Sequence, residues 1–150
     1  MEDPYYETWP DFTAGETAED GVARLAHTFR FMADKDLGRD AVQLMQMLAF
    51  GIGNATKENP YLCEFDESGF PYYQVIRGPS NEYLSEFCSP EVVDQATDGR
   101  VNGIFESLGW TLPNEESPNF HREYPEDAGR YAVAADAAEA WFRVSGSRQD

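Results

Sequence analysis

At 150 residues, 41% apolar and 14% aromatic, the chain is long enough for one packed domain and too apolar for wholesale disorder. Its formal net charge of −17 excludes direct binding to nucleic-acid phosphates or anionic lipid. It points instead to partners that are basic or apolar, or that themselves bind nucleic acid. No apolar run approaches the roughly 18 residues a membrane-spanning helix requires, so no membrane association is expected.

Residues 1–16 set Tyr5, Tyr6, Trp9 and Phe12 among acids and prolines, without helical or strand periodicity. This is read as an acidic arm that either packs on the body through Trp9 or serves a partner. It lacks a basic segment followed by an apolar core, so no signal peptide is expected and the location is taken as cytoplasmic. Thr17, with Asp20 three residues on, reads as a helix start. Val22, Leu25, Ala26, Phe29, Met32 and Ala33 then recur at helical spacing and are expected to face a core; the helix should end near Lys35. His27 lies one step off that stripe and reads as a boundary residue. Asp40 is taken as the cap of a second helix, with Ala41, Leu44, Met45, Leu48, Ala49 and Ile52 inward. Val42, Met47 and Phe50 widen its apolar face, and Gly51, Gly53 and Asn54 end it.

Three segments rich in Tyr, Phe, Val and Ile follow: Pro60–Asp66, Phe70–Arg77 and Asn81–Cys88. Glu67-Ser68-Gly69 and Gly78-Pro79-Ser80 separate them. This is the pattern of a three-stranded antiparallel meander, one face toward a core and the other partly wet or partner-facing. The second strand offers two sets for a partner. One is Tyr72, Gln74 and Ile76; the alternative is Tyr73, Val75 and Arg77. Cys63 and Cys88 read as small buried hydrophobes; a disulfide requires the first and third strands to be neighbours. Neither their number nor their spacing fits a metal site, and no cofactor is expected.

Ser89-Pro90-Glu91 is a helix start, with a short turn expected over Glu91–Ala96. A third helix then aligns Val101, Ile104, Phe105 and Leu108 and stops at Gly109. Trp110 is expected to plug the core as the chain turns back. Pro118–Pro125 reads as a short edge strand with Phe120, Arg122 and Tyr124 on one face. His121 has no nucleophile or metal partner at catalytic spacing, so no enzymatic activity is expected. A last helix should run from Asp127 to Val144, with Ala128, Tyr131, Ala132, Ala135, Ala138 and Phe142 inward, Trp141 on the shoulder, and residues 147–150 as a tail.

The expected fold is therefore α+β, with one small antiparallel sheet covered by helices on one side. Pro71-Tyr72-Tyr73-Gln74, Leu108-Gly109-Trp110 with Pro113, Asn119-Phe120 and the closing Trp141-Phe142-Arg143-Val144 together resemble a family known from actinobacteria. It is grouped with YbjN and type III secretion chaperones as the TY-Chap domains. The similarity covers residues 17–146. It implies a secretion-chaperone-like, non-enzymatic domain that binds a peptide or protein client, often as a homodimer. The acidic balance suggests a client of basic and apolar character. The same charge also fits an acidic inhibitor that mimics nucleic acid and blocks a basic surface of its partner.

Overall fold

The computed structural model describes residues 16–64, 72–88, 99–114 and 119–149. The expectations for the arm at 1–15, the Glu67-Ser68-Gly69 turn and the Glu91–Ala96 turn lie outside them. So do the side chains of Tyr72 and Cys88.

Thr17 opens α1 (Ala18–Ala33) with a full capping box. Its hydroxyl accepts from the Asp20 N–H at 3.1 Å, and the Asp20 carboxylate accepts from the Thr17 N–H at 3.4 Å. The second helix, α2, spans Gly38–Gly53 and starts two residues before the expected cap. Asp40 lies in its first turn, where its charge still complements the helix dipole. Strands β1 (Tyr61–Glu64), β2 (Tyr72–Arg77), β3 (Tyr83–Cys88) and β4 (Phe120–Tyr124) form an antiparallel sheet in the order β1-β2-β3-β4. Between β3 and β4 comes α3 (Gly99–Ser107). A 3-10 turn at Glu126–Ala128 leads into α4 (Arg130–Gln149), which continues past Val144 into the segment expected to be a tail.

The meander is therefore shown, with β4 added beside β3 in the register Phe87↔Phe120 and Tyr83↔Tyr124. Pairing is face to face, so the rows read straight across the sheet. Cys63, Tyr73, Phe87 and Phe120 form one row on the inner face. Leu62, Gln74, Glu86 and His121 form the matching row on the outer face. With β2 between β1 and β3, the two cysteine-bearing strands are not neighbours, and Cys63 is a half-buried thiol.

The described helices pack on the inner face. Tyr73, Val75, Phe87, Phe105, Phe120 and Tyr131 are fully or almost fully buried there with Met45, Leu48 and Ile52 of α2. Phe105 stacks on Phe120 with ring centroids 3.9 Å apart and meets Phe87 and Trp110 edge-on, while Phe87 and Trp110 are tilted against each other. Alanine dominates α4: Ala134, Ala135, Ala137, Ala138 and Ala140 are all buried. Such small side chains let α4 lie close against α2, and α1 packs against both. Helix α4 is thus buried on more faces than a single stripe supplies.

Candidate functional site

The orientation of α1 overturns the expectation for its apolar stripe. Phe29 is 70% exposed, Val22 69%, Met32 56% and Leu25 47%; Ala26 and Ala33 are exposed beside them. At 100° per residue these six positions share one side of the helix, and that side faces away from the body.

The opposite side carries Asp20, Arg24, His27, Phe31 and, just past the helix end, Asp34. That polar side faces α4. Asp20 pairs with Arg130 at 3.4 Å, Arg30 with Glu139 at 4.0 Å, and Asp34 with Arg143 at 2.7 Å. Glu16 pairs with Arg24 at 2.9 Å and accepts the Tyr131 hydroxyl. Phe31 is fully buried and is the apolar anchor of the helix. Each ion pair is partly exposed and screened by solvent, so singly it contributes little. Together with Phe31 they fix which way α1 turns. Burial, and secondarily the Arg30 charge, hold the His27 imidazole below its ordinary pKa of 6.5, against the opposing pull of Asp136. Asp34 is held below the usual carboxylate range, first by the Asp36 N–H and next by Arg143.

Of the two partner-facing sets on β2, Tyr73 and Val75 are excluded. Both are completely buried on the inner face, and the Tyr73 hydroxyl bonds Ser85 at 2.6 Å. Burial raises its pKa well above the ordinary tyrosine value. The register assigns them to the core row because their cross-strand partners Phe87 and Ser85 are core residues. Arg77 shares their parity but sits at the sheet's end, stacked on the Tyr83 ring at 4.1 Å.

Gln74 and Ile76 are on the outer face with Leu62, Leu84, Glu86, His121 and Glu123. That face is mixed rather than apolar. Glu86 is 6% exposed and accepts from Asn119 at 2.8 Å and from Gln74 at 3.3 Å. His121 contacts the Asn119 carbonyl through Nδ1 at 3.2 Å, and its strand is flanked by a bridge to Thr111. Among the described residues no group of three or more His, Cys, Asp or Glu gathers to hold a metal ion, and no helix is long and apolar enough to cross a membrane.

The four residues singled out for structure are placed as follows. Gly109 takes φ +91° and ends α3 in a Schellman motif. Its N–H bonds the Glu106 carbonyl at 3.0 Å, and the Trp110 N–H bonds that of Phe105 at 3.0 Å. Arg122 caps the Leu108 carbonyl at 2.8 Å. Trp110 and Phe120 are buried. Trp141 is half-buried and meets Phe142 edge-on at 4.9 Å.

A cluster missed by the sequence reading joins β4 to α4: the Tyr124 hydroxyl donates to Asp136 at 2.7 Å and Arg122 pairs with the same oxygen at 3.4 Å. Arg122 and Tyr124 share one face of β4, but Asp136 lies in α4, and no local spacing could have paired it with them. No family model, curated protein or solved structure matches the chain.

Proposed function

We propose that the chain is a non-enzymatic, chaperone- or adaptor-like domain that binds a protein client on the outward face of α1. The observation that carries this is the exposed row Val22, Leu25, Phe29 and Met32 on a helix whose polar side is tied to α4. A contiguous apolar patch on an otherwise charged surface marks an interaction site. Two of its four large members, Phe29 and Met32, are aromatic or unbranched, shapes that adapt to different apolar partners.

The occupant that fits is a client segment with an apolar centre and basic flanks. The apolar centre matches the α1 row, and the flanks answer a chain of net charge −17. The outer sheet face, with Gln74 and Ile76, is a weaker candidate because Glu86, Glu123 and His121 interrupt it. The order of two helices, three strands, a helix, a strand and a closing helix is the α+β arrangement on which the resemblance to the TY-Chap and YbjN-like domains is drawn.

The test is selection from a random peptide library on the full chain, followed by affinity measurement against the Leu25→Asp/Phe29→Asp double variant. Selected peptides should be apolar at the centre and rich in Lys or Arg at the ends. The variant should lose binding while unfolding at the same temperature. Peptides that bind the variant equally well overturn the proposal. A wild-type dimer in sedimentation that the variant abolishes would make a second copy of the chain the occupant instead. Protection of α1 lost only on removing residues 1–15 would make the occupant the acidic arm.

A further inference from the structure

Where β2 ends and β3 begins, beside the first residues of α4, lies a pocket of about 300 Å³. It is lined by Asp20, Gly53, Arg77, Tyr83, Gly129 and Arg130. Two guanidiniums and one carboxylate leave this wall with one net positive charge, in a chain that is otherwise strongly negative.

Each arginine is held with donors to spare. Arg77 lies over the Tyr83 ring at 4.1 Å and donates through Nε to the Asn81 carbonyl at 3.0 Å. These contacts fix the plane of its guanidinium and leave both terminal nitrogens unengaged among the described residues. Arg130 reaches Asp20 through Nη2 at 3.4 Å. Its Nε is buried and has no hydrogen-bond partner among the described residues. A buried cationic donor without an acceptor carries a free-energy penalty, and an anion beside the same guanidinium would offset part of the cost of holding that charge there.

Two further features serve the same place. A Cβ on Gly53 would lie 2.5 Å from Arg130 Nη1, so the glycine is what lets the guanidinium rest there. The first turn of α4 carries no acidic residue of its own, so the carboxylate that answers its dipole beside the pocket is that of Asp20, contributed by α1.

The geometry points to a binding site for a carboxylate group, gripped between Arg77 and Arg130 at the start of α4. A carboxylate rather than a phosphate fits because a single negative charge balances the single net positive charge of the wall. A dianion would remain half-compensated within a repelling acidic field. The carboxylate could come from a small organic acid or from the C-terminus of a peptide. The inference rests on the pocket and not on the α1 client reading.

The test follows backbone amide shifts of the isotope-labelled full chain during titration, at constant ionic strength, with four probes. These are sodium acetate, tetra-alanine with a free C-terminus, tetra-alanine amide, and inorganic phosphate. Acetate and free tetra-alanine should cause saturable shifts confined to Gly53, Arg77–Tyr83 and Gly129–Tyr131, with no response to the amide. Arg77→Gln, whose terminal nitrogens are not used by the fold, should weaken binding by about fivefold or more. Retained binding in Leu25→Asp/Phe29→Asp would keep the pocket separate from the client surface. Tetra-alanine binding much tighter than acetate assigns the site to peptide termini; equal affinity assigns it to small acids. Tighter binding of phosphate than of acetate, an equal response to the amide, or affinity unchanged by Arg77→Gln overturns the inference. So does the absence of any saturable shift up to about 50 mM.

Discussion

Trp110 is held at the point where α3 reverses into the core. Its N–H closes the Schellman motif at Gly109, and its ring meets Phe105 at 5.6 Å and Phe87 at 5.4 Å. It is 3% exposed. Trp110→Ala should therefore cost about 3–5 kcal/mol in chemical denaturation. A loss below about 1 kcal/mol would show that the ring is not a core element. Gly109→Ala should cost about 1 kcal/mol or more, because φ +91° is a left-handed conformation that a Cβ resists. His27 gives a separate, pH-dependent expectation. Its folded pKa is lowered, so below about 6.5 the unfolded chain takes up a proton that the folded chain resists. Stability is complete above that value and is lost as pH falls through the lowered one. Urea midpoints measured from about pH 7.5 to about pH 5.5 should decline, and His27→Gln should flatten the decline. An unchanged slope in the variant would remove His27 as the cause.

At the scale of elements, most of the architecture is legible in local pattern. Thr17 and Asp20 announce a helix start, and Gly109 announces a helix end, because capping chemistry acts within a few residues. Alternation in the meander reports a two-faced sheet, but alternation alone does not say which parity is inside. The pairing of Tyr73 with Phe87 and of Val75 with Ser85 decides that, and pairing is non-local. The stripe on α1 misleads for a related reason. Periodicity shows that a helix has an apolar side; it cannot show whether that side meets this chain or another. Here the body-facing side includes Asp20, His27 and Asp34, and the groups that answer them, Arg130, Asp136 and Arg143, lie over a hundred positions away in the sequence. The candidate site was therefore visible as residues and invisible as a surface. Substitutions separate the two sides. Phe29→Asp should change stability by no more than about 0.5 kcal/mol, as exposed positions do, while Phe31→Ala should cost about 3–5 kcal/mol. Thermal unfolding of both variants checks this. The reverse order would place the row Val22–Met32 in the core.

For the whole molecule the decisive quantity is charge. At −17 the chain repels itself, and on the proposed reading the same charge would steer a basic client from distances beyond contact. These long-range effects are screened by salt, while apolar contact at α1 is not. At about 0.1 M salt the screening length is about 10 Å; at about 0.5 M it falls to roughly 4 Å, shorter than the approach over which steering acts. Raising sodium chloride across that range should slow client association severalfold. Dissociation should stay nearly constant, because it is set by apolar area already in contact. Phe29→Asp should do the opposite and mainly speed dissociation. The Asp34–Arg143 pair, at 2.7 Å, is shorter than either screening length and should survive the change, keeping α1 in place. Stopped-flow association and dissociation rates for a selected peptide, with and without salt, separate the two contributions. If salt alone abolishes binding and substitutions in the α1 row leave both rates unchanged, charge is the recognition element. The acidic inhibitor, occupying a basic surface of its partner, then replaces the client-binding domain.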